Sequence, residues 1–222
     1  MSNRKYYDSE LEALNTALIE MGQAAADAVE NALQALCAVD TAAAAEVVKG
    51  DTRINHMERD IEHRCMTLLL RQQPVASDLR QVTAALKVIT DLERIGDHAA
   101  DIAEIVPHLG RMNQSSEPAL NEAVQMGRNA HQMILNALDA FVRQDEAAAR
   151  EVIASDDVVD DAFDAIKRML GQKLAHDPDE VDSVMDLLIV IKYLERIADH
   201  SVNLAEWVQF VRTGKYKNED IF

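Results

Sequence analysis

The chain of 222 residues writes one helical pattern twice. Residues 21–51 set against 126–156 give 14 identities in 31 positions at a constant offset of 105, with MGQAAADAVENALQAL opposite MGRNAHQMILNALDAF. Further on, LERIGDHAADIAE (92–104) matches LERIADHSVNLAE (194–206) at 8 of 13 positions, now at an offset of 102. Shared Ala-rich composition scatters identities but does not produce a matched LERI-x-DH. The repeat is an internal duplication, and three residues are missing from the hairpin of the second copy.

Each copy reads as helices. Leu11, Leu14, Leu18, Met21, Ala25, Ala28 and Ala32 alternate spacings of three and four, the seam of a helix packed in a bundle. Aromatic residues are 4% of the chain, and 7 Gly with 4 Pro are too few for an all-β protein with its frequent turns. Six helical patterns follow: about 9–37, then one capped by Asp40 and running to Arg71, one opened by Ser77 and ending near Pro107 and Gly110, then roughly 118–143, 145–175 and 178–213. The expected fold is all-α: two tandem three-helix bundles over residues 9–110 and 118–213. A polar linker at 111–117 joins them, and a tail at 214–222 reads as frayed.

A net charge of −17 excludes nucleic acid as a direct ligand and disfavours anionic membrane surfaces, leaving cations and basic protein surfaces. No apolar run is long enough for a signal peptide or a membrane span of about 20 residues, so no membrane insertion is expected and the cytoplasm is the expected location. Cys37 and Cys65 lie inside helical patterns, away from CxxC spacing, and are expected to be buried free thiols.

The informative anomaly is acid in core phase. The third helix runs Leu79, Val82, Leu86, Ile89, Glu93, Gly96, Ala100, Ala103, and the sixth Val181, Val184, Leu188, Ile191, Glu195, Ala198, Val202, Ala205. Each seam carries one Glu followed by a small residue. The second helix places Asp51 and Glu58 in its seam, and the fifth places Asp156 there. Folding the hairpins brings Asp51 within a turn of Glu93 and Asp97, and brings Asp156 and Asp160 against Glu195 and Asp199. Glu93, Asp97 and Asp101 recur every four residues, forming a stripe of like charge that needs compensation. Arg94 and Arg196 point about 100° away from the adjacent Glu, so a bound cation is the simpler answer. An all-oxygen set suits di- or trivalent ions such as magnesium, calcium, manganese, iron or zinc. The candidate ligands are Asp51, Glu93, Asp97, Asp101, Asp156, Asp160, Glu195 and Asp199; the competing reading is a solvated acidic face. No organic cofactor is expected.

Other groups rank lower. Asp60-x-x-His63 has ferritin-like spacing but no counterpart in the second copy. His98 and His200 recur and read as polar partners, with phosphoacceptor or ligand roles as alternatives. His131 reads as a core histidine, and Trp207 as packing for the end of the last helix. No Gly-rich phosphate loop, catalytic Ser or Cys–His arrangement appears.

The paired LERIGDHAADIAE and LERIADHSVNLAE segments, with RQQPVASDLR (71–80), resemble the PhoU family over most of the chain, from about Leu11 to Phe210. The resemblance implies two three-helix bundles related by a pseudo-twofold axis. It implies a non-enzymatic role in damping phosphate uptake and phosphate-starvation signalling. The partners it implies are the ATPase of the phosphate ABC transporter and a phosphate-sensing histidine kinase, and the assembly it implies is a homodimer. The family's E(D)xxxD metal motif falls on Glu93-x-x-x-Asp97, Glu195-x-x-x-Asp199 and Asp156-x-x-x-Asp160, and imperfectly on Asp51-x-x-x-Asn55, while Asn203 stands opposite Asp101. The rival classes are a helical phosphorelay module using His98 or His200, which requires an exposed histidine, and a metal-carboxylate enzyme or store, which requires open coordination positions.

Overall fold

Asp40 and Asp145 build the same corner twice. Asp40 Oδ1 accepts hydrogen bonds from the backbone N–H of Ala42 (2.9 Å) and Ala43 (3.1 Å), and Asp145 Oδ1 accepts from Ala147 (3.0 Å) and Ala148 (3.1 Å). These caps satisfy donors that the first turn of a helix leaves free. Just before each cap the chain passes through the left-handed region, at Val39 (φ 49°) and Gln144 (φ 51°). In both corners the cap's own N–H closes on the carbonyl five residues back, Ala35 or Ala140, at 2.9 Å. A β-branched residue at positive φ is costly, and Val39 is held there by closure on both sides.

The computed structural model describes residues 3–72, 74, 77–109, 117–217 and 219–220. Its six helices are α1 (Asn3–Ala38), α2 (Thr41–Gln72), α3 (Ser77–Leu109), α4 (Glu117–Arg143), α5 (Glu146–His176) and α6 (Val181–Thr213), with one 3₁₀ turn at Pro178–Glu180. Gly214 ends α6 at φ 80°, its N–H bonded to Phe210 O at 2.8 Å. That is the left-handed cap glycine favours. The linker expected at 111–117 lies outside the described residues except for Glu117, which opens α4.

Within each repeat the three helices pack on one another, as the duplication requires. The repeats also pack together: α3 lies against α6 and α1 against α4. One hydrophobic core therefore runs through both bundles. The four helices α1, α3, α4 and α6 form its centre, with α2 and α5 on the outside. This widens the buried arc of α3 and α6 beyond the seam read from sequence. In α3 the line Ala85, Val88, Leu92, Ile95, Ala99, Ile102 and Val106 is buried, and the seam bearing Glu93 is only the flank facing α2.

Glycines set the crossing of the repeats. A Cβ added to Gly22 of α1 would collide with Leu138 of α4, and one added to Gly127 of α4 would collide with Leu33 of α1. The two contacts exchange under the offset of 105, so the duplicated Met-Gly and Asn-Ala-Leu segments are the two halves of one reciprocal joint.

Three sequence expectations need correction. Cys65 is buried, but Cys37 is exposed, because it sits about 100° round α1 from the buried Leu36. His131 is half-buried and lies 4.0 Å from Glu30 of α1 rather than in the core. The described residues of the tail are paired, not frayed: Lys215–Tyr216 (β1) pairs antiparallel with Glu219–Asp220 (β2), and Tyr216 stacks on Trp207 with ring centroids 4.0 Å apart. Among the described residues no helix is long and apolar enough to cross a membrane.

Candidate functional site

Two acidic faces form, one between α2 and α3 and one between α5 and α6. In the first, α2 approaches α3 closely at Gly96, where an added Cβ would lie 2.8 Å from Ile54 Cδ1 and 3.6 Å from Asp51 Oδ1. Asp51 is thereby half-buried. Burial raises its pKa first, and the charges of Asp97 and Asp101 add to the rise, against a lowering by its hydrogen bond from Asn55. Asn55 Nδ2 donates to Asp51 Oδ2 at 2.7 Å. Asp51 Oδ1 and Asn55 Oδ1 are buried and accept no hydrogen bond. Glu93 is raised by burial and then by Asp97, with Glu58 and Asp51 further out.

The second face is the more strongly perturbed. Asp156 is pushed up to about 6, by burial first and then by Asp160, Asp199, Asp157 and Glu195. Asp199 is raised by burial and by Glu195, with Lys192 and His200 opposing. Asp156, Asp160, Glu195 and Asp199 thus share one field, as do Asp51, Glu93, Asp97 and Asp101.

Side chains of the protein itself already hold several of these acids. Arg94 reaches both neighbours, with Nε 3.5 Å from Glu93 Oε2 and Nη1 3.0 Å from Asp97 Oδ2. The expectation that Arg94 points away fails because a guanidinium on a flexible stem swings back along the helix. Lys192 pairs with Glu195 in the second repeat. Asp101 Oδ2 lies 3.4 Å from Nδ1 of His98 on the same helix, and its charge also acts on Tyr193 of the other repeat. Among the described residues no three Asp, Glu, His or Cys side chains are grouped tightly enough to hold one ion between them. The donor chemistry nevertheless fits a hard or borderline cation: the facing atoms are oxygens, two buried ones lack a partner, and the carboxylates repel one another.

Glu58 belongs to the first face and was missing from the ligand set read from sequence. Its pKa is raised by burial and by Glu62, with Asp97 adding. Its place in the α2 seam was the available signal. In the second repeat Phe163 stands there, under the cations Lys167 (5.0 Å) and Lys192 (5.5 Å).

A polar seam crosses the repeat interface. His200 Nδ1 lies 2.8 Å from Asp91 Oδ1, which also accepts from Asn203 Nδ2 at 3.1 Å. His98 stacks on Tyr193 (centroids 5.3 Å) and stands 5.7 Å from His200. Its pKa is lowered, chiefly by burial. Both histidines are polar partners within the joint, which sequence spacing alone did not distinguish from ligands.

Comparison with known proteins gives consistent matches. The family model described as the PhoU domain fits residues 18–106 and again 123–208, the second span three residues shorter. A phosphate-specific transport system accessory protein PhoU homolog of Clostridium acetobutylicum is 36% identical over 213 residues, 96% of this chain and 96% of that protein. The phosphate-specific transport system accessory protein PhoU of Escherichia coli is 32% identical over 209 residues, 94% of this chain and 86% of that one. The crystal structure of PhoU from Pseudomonas aeruginosa superposes with a TM-score of 0.89 at 34% identity, covering 94% of this chain and 100% of that one. That of the phosphate transport system regulatory protein PhoU from Streptococcus pneumoniae gives 0.87 at 28%, covering 95% and 98%.

Proposed function

This chain belongs to the PhoU family, and on that premise we propose that it is a non-enzymatic regulator of phosphate homeostasis. In this reading it damps uptake by a phosphate-specific ABC transporter and restrains phosphate-starvation signalling. Its partners are the transporter's ATPase and a phosphate-sensing histidine kinase, and it works as a cytoplasmic homodimer. The observation that carries the reading is that the likeness runs through both repeats, while relatives matching nearly the whole chain are named accessory or regulatory proteins of phosphate transport. The sequence offers no phosphate loop or paired nucleophile and base to supply a reaction. A continuous core across the two bundles provides the stiff surface that regulation by contact needs.

The acidic faces fit a metal-dependent form of this regulator. Asp51, Glu58, Glu93 and Asp97, with Asp101 on the next turn, would hold a di- or trivalent cation in the first repeat, and Asp156, Asp160, Glu195 and Asp199 in the second. When bound, the ion supplies the positive charge that offsets carboxylate repulsion and fixes α2 on α3 and α5 on α6. A phosphoacceptor role for His98 is disfavoured by its 6% exposure.

The test is deletion in phosphate-replete cells. Phosphate uptake or starvation-gene expression should rise and return on complementation; unchanged phosphate responses would reject the proposal.

A further inference from the structure

The two repeats differ in charge on the outer arcs of α2 and α5. On α2 the arc opposite the buried Ile54, Ile61, Cys65 and Leu68 is exposed. It carries Arg53, Arg59, Arg64 and Arg71 against Asp60 and Glu62, a balance of +2 in a chain of net charge −17. Among the described residues none of these four guanidiniums lies within ion-pair distance of a carboxylate. Leu70, 77% exposed, and Met66, 47% exposed, lie on the same arc.

The equivalent arc of α5 reverses the sign. It carries Asp157, Asp161 and Asp164 against Lys167 and Arg168, and Asp164 is held by Lys167 at 2.5 Å and by Arg168, whose Nε donates to its backbone oxygen at 3.1 Å. Duplication began with two like faces, so the basic character of α2 belongs to that repeat alone.

We propose that the outer arc of α2 is a docking surface for an acidic, apolar-anchored segment of a partner protein. Unpaired arginines accept carboxylates in a bidentate fork, and Arg and Met are residues that interfaces favour. Leu70 and Met66 supply the apolar anchor that fixes register between the charges. The net charge of −17 repels an anionic bilayer as a whole, so a lipid surface is the poorer match to a patch of +2. A protein segment meets the arc alone. The inference does not depend on which transport or signalling protein supplies the segment, nor on whether the acidic faces bind a cation.

The test uses the full chain and a fluorescein-labelled amphipathic peptide with Glu and Leu in alternating helical turns, beside its Lys-for-Glu counterpart. Fluorescence anisotropy should show binding of the acidic peptide only, weakening with salt. Arg59→Gln with Arg64→Gln should weaken it about tenfold, through two lost charge pairs. Leu70→Ser should weaken it too, while Arg168→Gln on α5 should leave it unchanged. Thermal melts matching wild type show that the exposed substitutions leave the fold intact. Equal binding of both peptides, binding of neither, or full affinity in the Arg59/Arg64 variant overturns the proposal. So does retention on phosphatidylserine vesicles, or self-association in sedimentation, if either is lost with the same variant while the acidic peptide does not bind.

Discussion

His200 of α6 holds Asp91 of α3 at 2.8 Å across the joint between the repeats, and the duplicated partner of that contact is of another kind. Under the offset of 102, Asp91 corresponds to Tyr193, so His98 stacks on a phenol ring where His200 meets a carboxylate. The backbone twofold survives while its central polar contact is asymmetric. Asp91 also accepts from Asn203, and its side chain is 13% exposed. Replacing Asp91 with Ala strands two donors at a poorly hydrated site. A loss of roughly 1–3 kcal/mol is expected from the cost of unsatisfied buried groups. Urea denaturation measures it; a variant within 0.3 kcal/mol (an estimate set at about the error of such comparisons) would show the contact to be ornamental.

A second pairing predicts compensation. Gly96 faces Ile54 in the first repeat, and the equivalent positions hold Ala198 and Val159. The total of side-chain carbons is the same, moved by one across the interface. Gly96→Ala alone places a methyl 2.8 Å from Ile54 Cδ1 and 3.2 Å from its Cγ2. It should destabilise by about 1 kcal/mol or more even after the gain in helix propensity. Ile54→Val alone should cost about 0.5–1.5 kcal/mol. The double variant should recover most of both losses, a coupling readable in a double-mutant cycle. Simple additivity would mean that the close approach at Gly96 is not what limits packing there.

How much of this was legible beforehand follows from which physics the sequence records. The duplication, the shortened second hairpin and the cap at Asp40 are local, and identities or single side chains announce them. The joint at Gly22–Leu138 and Gly127–Leu33 depends on how two copies cross, which the repeated residues mark without specifying. Glu58 was visible in core phase but left out because Phe163 replaces it in the second copy. Cys37 and His131 were misplaced because each sits at the edge of its helix's buried arc, and that edge is fixed only by the neighbouring helices and not by the apolar spacing. The strand pair after α6 rests on Tyr216 reaching back to Trp207, a contact with no periodicity to betray it.

The pH dependence has a definite sign. Asp156 is raised from 3.8 to about 6, so between those values the folded chain keeps a proton that the unfolded chain has released. The stability contributed by this group is complete below pH 3.8 and is lost as pH rises through about 6. Asp51, Glu58, Glu93 and Asp199 are raised as well and add the same slope. In chelator, the melting temperature of wild type minus that of Asp156→Asn should therefore fall as pH rises from about 5 to 7. His98, lowered chiefly by burial, contributes the opposite slope to both proteins and cancels in the difference. A difference that is flat or rises with pH would contradict the burial of Asp156.

Cation binding should reverse that destabilisation, and the second repeat should bind at least as tightly as the first. Four carboxylates share the field there, and their mutual repulsion is greatest at Asp156. In the first repeat Asn55 takes the place of an acid and ties up one oxygen of Asp51, while Glu58 and Asp101 return charge from either side. A cation must also displace Arg94 from Glu93 and Asp97, and Lys192 from Glu195. Single ion pairs whose cation is half-exposed are screened by water and hold little against a multivalent ion. Titration with Mn²⁺ or Fe²⁺ at about pH 7, where unperturbed carboxylates are ionised, should therefore raise the melting temperature. It should release protons as well, because metal and proton compete for the same oxygens. Glu195→Gln with Asp199→Asn should remove more of the response than Glu93→Gln with Asp97→Asn, and Glu58→Gln should weaken only the first site. The reverse order would show that Glu58 and Asp101 more than replace the charge missing at Asn55. An undiminished response in both double variants would reduce the two acidic faces to solvated surface.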